Sequence, residues 1–171
     1  MKKRTIFVIL VINLILQSTL FQFIKIFNII PNTSLILIVS FALLKGEKFG
    51  AYIGLFTGLL QDILYSDAIG VFAFVYFIIG YSVGWMNQKV FKDNLFIPFI
   101  FTILATVSYH LFYGFIMYFL AVDIHGFAII KSILIPELII NSLLSMFIYS
   151  KIRNLNTKPS TNYKMLMRMR R

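Results

Sequence analysis

His110 and Glu137 are the residues of this chain whose types could do acid–base chemistry, and both lie in strongly apolar segments. A lone carboxylate in an apolar medium is expensive, so it either pairs or takes up a proton. Counted from the ends of their predicted helices, the two residues lie near one depth. We expect both to face the bundle interior, with Glu137 hydrogen-bonded to His110, to a tyrosine or to a backbone group freed by a bend at Pro136. A neutral Glu137 satisfied within its own helix turn is the alternative.

Other polar side chains recur every four residues in apolar segments, which is the spacing of one helix face. They are Asn13 and Gln17, Thr102 and Thr106 before His110, and Asn141 and Ser145 after Glu137. Polar stripes in lipid turn toward protein. Hydrogen bonds between helices and a polar cavity or ion path are both compatible with these stripes. Asn13 and Gln17 could bind neighbours within the fold or a partner helix.

The sequence contains no enzyme motif. It has no cysteine, which excludes a disulfide framework, a thiolate nucleophile and a cysteine metal site. Its two histidines, His110 and His125, lack metal-ligand spacing. The chain has no phosphate-binding loop and no serine in a nucleophile elbow. We therefore expect a protein that is not an enzyme and that uses no cofactor or metal.

A run of glycines spaced by four residues is the most distinctive pattern of the chain, and it ends in a polar pair. The run comprises Gly46, Gly50, Gly54 and Gly58, followed by Leu59-Leu60-Gln61-Asp62. In lipid, a glycine face lets another helix approach to backbone contact. The face could pack against the protein's own helices or form a docking groove for a partner's membrane helix.

Asp62 is unusual because it lies near a helix C-terminus, where the helix dipole disfavours an anion. It could be a solvated loop carboxylate. Alternatively, it could accept hydrogen bonds from backbone N–H groups in the tight 62–70 connection, or from a partner. Asp67, in contrast, reads as an ordinary N-cap of the following helix.

Composition identifies an integral membrane protein. Of 171 residues, 60% are hydrophobic and 13% are charged, about half the charged fraction of soluble domains. Six spans are predicted, followed by a basic tail: Thr5–Ile24, Pro31–Leu44, Phe49–Leu64, Ala68–Trp85, Leu95–Leu120 and Phe127–Tyr149. Pro31 suits the opening turn of the second helix. The first span is too long for a signal peptide and lacks a cleavage site.

The distribution of basic residues sets the predicted topology. With both termini cytoplasmic, 14 of the 16 Lys and Arg residues lie inside, and Lys25 and Lys131 lie outside. Because the net charge of +10 is spread between and beyond the apolar segments, it does not indicate a nucleic-acid partner. The prediction is a six-helix membrane domain over 1–150 and a basic cytoplasmic tail over 151–171. The tail could be drawn to anionic lipid headgroups or be solvated.

The order of several motifs resembles the MreD family of rod shape-determining proteins. The matching residues are Pro31-Asn32, Gly50, Gly54, Gly58-Leu59-Leu60-Gln61-Asp62, Gly70, Gly80-Tyr81, Pro136 and Asn141. The resemblance covers roughly residues 31 to 150 and is sharpest from Gly50 to Gly84. The family often has aspartate where this chain has Asn32.

The resemblance implies a non-enzymatic, multi-pass protein of the bacterial plasma membrane that belongs to the cell-elongation complex. Its expected partners are MreC, a bitopic protein, and the peptidoglycan synthase components that act with MreB filaments. The implied fold is similar to the substrate-binding subunits of energy-coupling-factor vitamin transporters. A vitamin-binding subunit of that kind is the alternative function. Those subunits typically carry alanines spaced by four in their first span, and Thr5–Ile24 contains no alanine.

Overall fold

The computed structural model describes residues 1, 3–19, 29–66, 69–86, 94–120 and 127–156, without the side chains of residues 3 and 127–133. Within these residues it forms six helices and no strand. They are α1 (Lys3–Ser18), α2 (Thr33–Lys45), α3 (Glu47–Tyr65), α4 (Val71–Met86), α5 (Phe96–Phe119) and α6 (Phe127–Asn156). The predicted all-helical fold is therefore confirmed for the part of the chain that is described.

Two of these helices are long and apolar enough to cross a membrane. They are α5 and the Leu134–Asn156 part of α6. Helices α1, α2 and α4 are apolar but shorter, so the count of six spans stays a prediction. Helix α3 has 19 residues, and its apolar sequence is interrupted by glycines and by Gln61 and Asp62.

Helix α2 is the centre of the bundle. All of its residues from Thr33 to Leu44 are buried, and it contacts each of the other five described helices. A helix that is apolar all round is stable only when protein or lipid covers every face. Here protein covers it, and Leu35, Ile38 and Phe41 form the middle of the hydrophobic core.

Helices α3 and α4 form the closest pair, and glycines make this approach possible. A methyl group added to Gly50 would overlap the Gly80 backbone, one on Gly54 would overlap that of Tyr76, and one on Gly58 would overlap Ala73. Gly80 meets Gly50 in the same way. The face formed by Gly50, Gly54 and Gly58 is therefore filled by the chain's own α4, not by a partner.

Gly46 and Gly70 lie outside the helices and have positive φ angles. Gly46 lies between α2 and α3 with φ of 90°, and Gly70 precedes α4 with φ of 105°. Among the described residues, no atom lies within 4 Å of a methyl group added at either position. The interpretation of Gly46 as part of the helix face was wrong, and Gly70, a candidate for helix packing or partner docking, does not pack closely against a described helix. Both supply a backbone conformation that other residues rarely adopt.

Several predicted boundaries also shift. Pro31 does not open α2; it precedes Asn32, which is the N-cap. Helix α4 begins at Val71, after the turn at Gly70. Helix α6 continues to Asn156, past the predicted end at Tyr149, because Tyr149 and Ile152 are both buried against the bundle. Asp67 and the tail from residue 157 lie outside the described residues.

Replacing glycine with alanine should have opposite effects at two helical positions. Gly54→Ala should lower the free energy of unfolding by about 1–3 kcal/mol, because the methyl group is forced against the Tyr76 backbone. Gly114→Ala should raise it by up to about 1 kcal/mol, because no atom of the described residues lies within 4 Å of a methyl group added to Gly114 and alanine is the better helix former. Unfolding in detergent, followed by circular dichroism, measures both. Equal effects would contradict the assigned α3–α4 contact.

Candidate functional site

Polar side chains gather around the first turn of α2. The Asn32 carboxamide caps the helix, since its Oδ1 accepts from the Leu35 N–H at 3.0 Å. Its own backbone N–H donates to Asn141 Oδ1 at 3.0 Å. Its side chain also lies 3.0 Å from the Tyr76 hydroxyl. The N-terminus of α2 is thus capped by its own residue and tied to α4 and α6.

A second group of contacts extends this site to α5. Asn141 donates to Glu137 Oε1 at 3.1 Å and lies 3.4 Å from Thr106 Oγ1. The other carboxylate oxygen of Glu137 is 2.8 Å from His110 Nε2. Glu137 is buried and His110 is partly buried. The expected hydrogen bond between His110 and Glu137 is confirmed, and Glu137 is held by side chains of two helices.

The register of α5 against α6 explains these pairs. His110 pairs with Glu137, and Thr106, one turn earlier, lies beside Asn141, one turn later. Antiparallel helices bring residues together in this way, with i+4 on one matched by i−4 on the other. His110 and Thr106 thus form interhelical hydrogen bonds with α6, which is the first of the two interpretations left open by the sequence. Thr102 and Ser145 do not: among the described residues the Thr102 hydroxyl has no partner, and Ser145 donates to the Ser142 carbonyl of its own helix.

Ser34, two residues after Asn32, joins α2 to α1 and α3. Its hydroxyl donates to Gln17 Oε1 at 2.7 Å and accepts from Asn13 Nδ2 and Gln61 Nε2, both at 2.9 Å. Gln61 also donates to Gln17 at 3.1 Å. Asn13 and Gln17 therefore bind neighbours within the fold.

Asp62 caps α4 from the neighbouring helix. Its two carboxylate oxygens accept from the N–H groups of Phe72 and Ala73, at 2.8 and 3.0 Å. The residue before α4 is Gly70, which has no side chain with which to cap it. Asp62 is fully buried, so the solvated-carboxylate alternative was wrong. The alternative of backbone N–H donors is confirmed, although the donors lie in the first turn of α4, just beyond the 62–70 connection.

An aromatic layer lies beside the Asn32 end of this site. Phe72 stacks on Tyr109 and Tyr113 with ring centroids 6.2 and 5.3 Å apart, and Tyr76 lies 5.7 Å from Tyr109. The Tyr109 ring meets His110 edge-on at 5.1 Å. The polar contacts of His110 and Tyr76 are thus flanked by packed rings.

The contacts of this arrangement join helices of the bundle to one another. Among the described residues, no group of three or more His, Cys, Asp or Glu side chains could hold a metal ion. The oxygens of Glu137 and Asp62 are already engaged within the chain. Sequence reasoning missed Ser34 and Tyr76. The Asn32 cap could have been predicted from the sequence, since an asparagine directly before an apolar helical run is a common N-cap.

Replacing Asp62 with asparagine should destabilise the packing of α3 against α4. One of the two oxygens that accept from Phe72 and Ala73 becomes an NH₂ group facing a buried N–H. We expect the free energy of unfolding to fall by about 1–3 kcal/mol. Asp67→Asn is the control, because it makes the same change at another carboxylate, whereas the capping hydrogen bonds are accepted by Asp62. Thermal unfolding in detergent measures both variants, and equal losses would contradict the capping contact.

A comparison with protein families gives a match over residues 2–158. This stretch matches the model of the family described as rod shape-determining protein MreD. No curated protein and no solved structure matches the chain. Because the match covers most of the sequence, from the start of α1 past the end of α6, the chain belongs to the MreD family of rod shape-determining proteins.

Proposed function

We propose that this chain is a non-enzymatic membrane scaffold of the bacterial cell-elongation complex. It binds an MreC-like bitopic protein within the plasma membrane and supports peptidoglycan synthesis and cell shape. The family match over residues 2–158 carries this proposal. The polar interior agrees with a scaffold, because its acidic and amide groups bind one another across the helices.

The proposed topology has six spans with both termini in the cytoplasm. The Met1 amino group lies 3.2 Å from Asn156 Oδ1, so the start of α1 and the end of α6 lie at the same end of the bundle. The positive-inside distribution assigns this end to the cytoplasm. Lys151 is exposed on the last turns of α6, where it and the basic residues that follow in the sequence would meet anionic lipid headgroups.

Co-purification tests the scaffold proposal. The full chain is expressed in rod-shaped bacteria with an affinity tag and extracted in mild detergent with the host's MreC-like protein at native levels. The bitopic protein should co-purify with it, and depletion of the chain should turn rods into round cells. A folded chain that retains no bitopic protein, in cells that keep their shape without it, would contradict the proposal.

A further inference from the structure

Glu137 places a carboxylate in the interior of the bundle, and the basic side chain beside it is an imidazole. The side chain of Glu137 is 7% exposed and that of His110 is 17% exposed. Among the described residues, no lysine or arginine lies within ion-pair distance of Glu137. Asn141, which donates to the other carboxylate oxygen, is a neutral amide. Within this part of the chain, only a proton on Glu137 or His110 can neutralise the carboxylate.

Asp62 is a second buried carboxylate, and its surroundings differ from those of Glu137. Both Asp62 oxygens accept from backbone N–H groups in the first turn of α4, where the positive end of the helix dipole stabilises an anion. The oxygens of Glu137 meet a side-chain amide and an imidazole instead. His110 and Glu137 both lie in helical segments that are apolar enough to cross a membrane. An uncompensated charge there is unfavourable, because it loses the solvation that water would give it.

The geometry of the pair fits one shared proton, counted beyond the N–H that a neutral imidazole always carries. Glu137 Oε2 and His110 Nε2 are 2.8 Å apart. One proton between them gives either an imidazolium facing a carboxylate or an imidazole facing a carboxylic acid, and neither form has a net charge. Without this proton the pair is an anion, and with a second proton it is a cation. Both charged forms leave an unpaired charge in the interior. The proton therefore belongs to the pair rather than to one residue.

The other titratable side chains described near the pair are phenols and one carboxylate: Tyr76 on α4, Tyr109 and Tyr113 on α5, and Asp62 on α3. Phenols are neutral below about pH 10, and a second carboxylate cannot balance the first. From α2, the neutral residue Asn32 reaches the site through Asn141, and the one charged residue of that helix, Lys45, lies at its opposite end. Helix α1 has basic residues only in its first turn. None of these groups supplies the missing positive charge.

We propose that His110 and Glu137 form a proton-binding site inside the membrane, which takes up one proton from water when α5 and α6 pack together at neutral pH. In water, a free imidazole and a free carboxyl group hold one proton between them only from about pH 4.3 to 6.5. Above this range the separated groups hold none, whereas the packed pair holds one. The contact between α5 and α6 is therefore coupled to pH, and it weakens as the pH rises. This inference does not depend on the partner of the proposed scaffold.

Proton linkage gives the size and the sign of the effect on stability. Above about pH 6.5 the unfolded chain binds fewer protons at this pair than the folded chain, so stability falls as the pH rises. One proton corresponds to an increase of about tenfold in the unfolding equilibrium constant for each pH unit, for as long as the folded pair keeps its proton. Between about pH 4.3 and 6.5 both states hold one proton, so the pair adds no pH dependence there.

Glu137→Gln tests the site, because the amide removes the need for the proton and can still hydrogen-bond to His110. Unfolding of the full chain in detergent is followed by circular dichroism from about pH 5 to about pH 9. Above about pH 7, the unfolding constant of the unaltered chain should rise about tenfold per pH unit relative to the variant. Below about pH 6.5 the variant should lose stability instead, because its folded imidazole stays neutral while the unfolded one takes up a proton. All other titratable groups are common to both proteins, so the difference reports on the pair.

His110→Gln gives a second measurement, which decides the question if Glu137→Gln does not fold. Without the imidazole, Glu137 must hold the proton itself. The unfolding constant of this variant should therefore rise about tenfold per pH unit relative to the unaltered chain already between about pH 5 and 6. Parallel pH profiles of the unaltered chain and Glu137→Gln above about pH 7, or of the unaltered chain and His110→Gln between about pH 5 and 6, would overturn the inference. They would mean that a cation, not a bound proton, balances the carboxylate.

Discussion

The constraint on which the rest of the structure depends is the start of α2 inside the bundle. The first backbone N–H groups of a helix have no partner within the helix, and at this position Asn32, Thr33 and Ser34 are all buried. The protein supplies partners from its other helices. Asn32 caps the helix, and Asn141 accepts a hydrogen bond from the Asn32 N–H. The Ser34 hydroxyl accepts hydrogen bonds from side-chain amides on α1 and α3. In a membrane, non-helical backbone is tolerated only where protein covers it or where it lines a cavity.

The close packing of α3 against α4 and the polar contacts at the first turn of α2 require each other. Gln61 and Asp62 are consecutive on α3, and consecutive helical residues point about 100° apart, because one turn takes 3.6 residues. Gln61 therefore reaches Ser34, while Asp62 reaches the first turn of α4. Both contacts demand that α3 lie close to two neighbours at once. Gly54 and Gly58 permit this on the α4 side, because they remove the side chains that would hold the helices apart.

The sequence predicted the kinds of contact better than their partners. Helical spacing identified the face of Gly50, Gly54 and Gly58, but spacing cannot say whether the facing helix is α4 or another protein. Depth and the antiparallel course of the two helices made His110 one of three expected partners for Glu137, beside a tyrosine and a freed backbone group, and the structure selects His110. The backbone turn at Gly46 was misread, since a glycine needed for positive φ and a glycine needed for contact look alike in sequence.

Other features were beyond the sequence because they depend on three-dimensional neighbours. Ser34 and Ser40 are both serines in the same apolar helix, and nothing in the local pattern separates them. In the structure, Ser34 makes three side-chain hydrogen bonds, whereas the Ser40 hydroxyl has no hydrogen-bond partner within the described part of the chain. The extension of α6 past Tyr149 was missed for a similar reason. Lys151 marks a polar surface there, but Ile152 is buried on the opposite side of the same turn.

This pair of serines gives the most direct test of the claim that polar contacts at the first turn of α2 hold the helices together. Ser34 and Ser40 lie on one helix and are both fully buried. Ser34→Ala leaves the amides of α1 and α3 without their shared partner, so the free energy of unfolding in detergent should fall by about 1–3 kcal/mol. Ser40→Ala removes only an unpaired hydroxyl and should leave that free energy unchanged or raise it. An equal loss in both variants, or no loss in Ser34→Ala, would contradict the account.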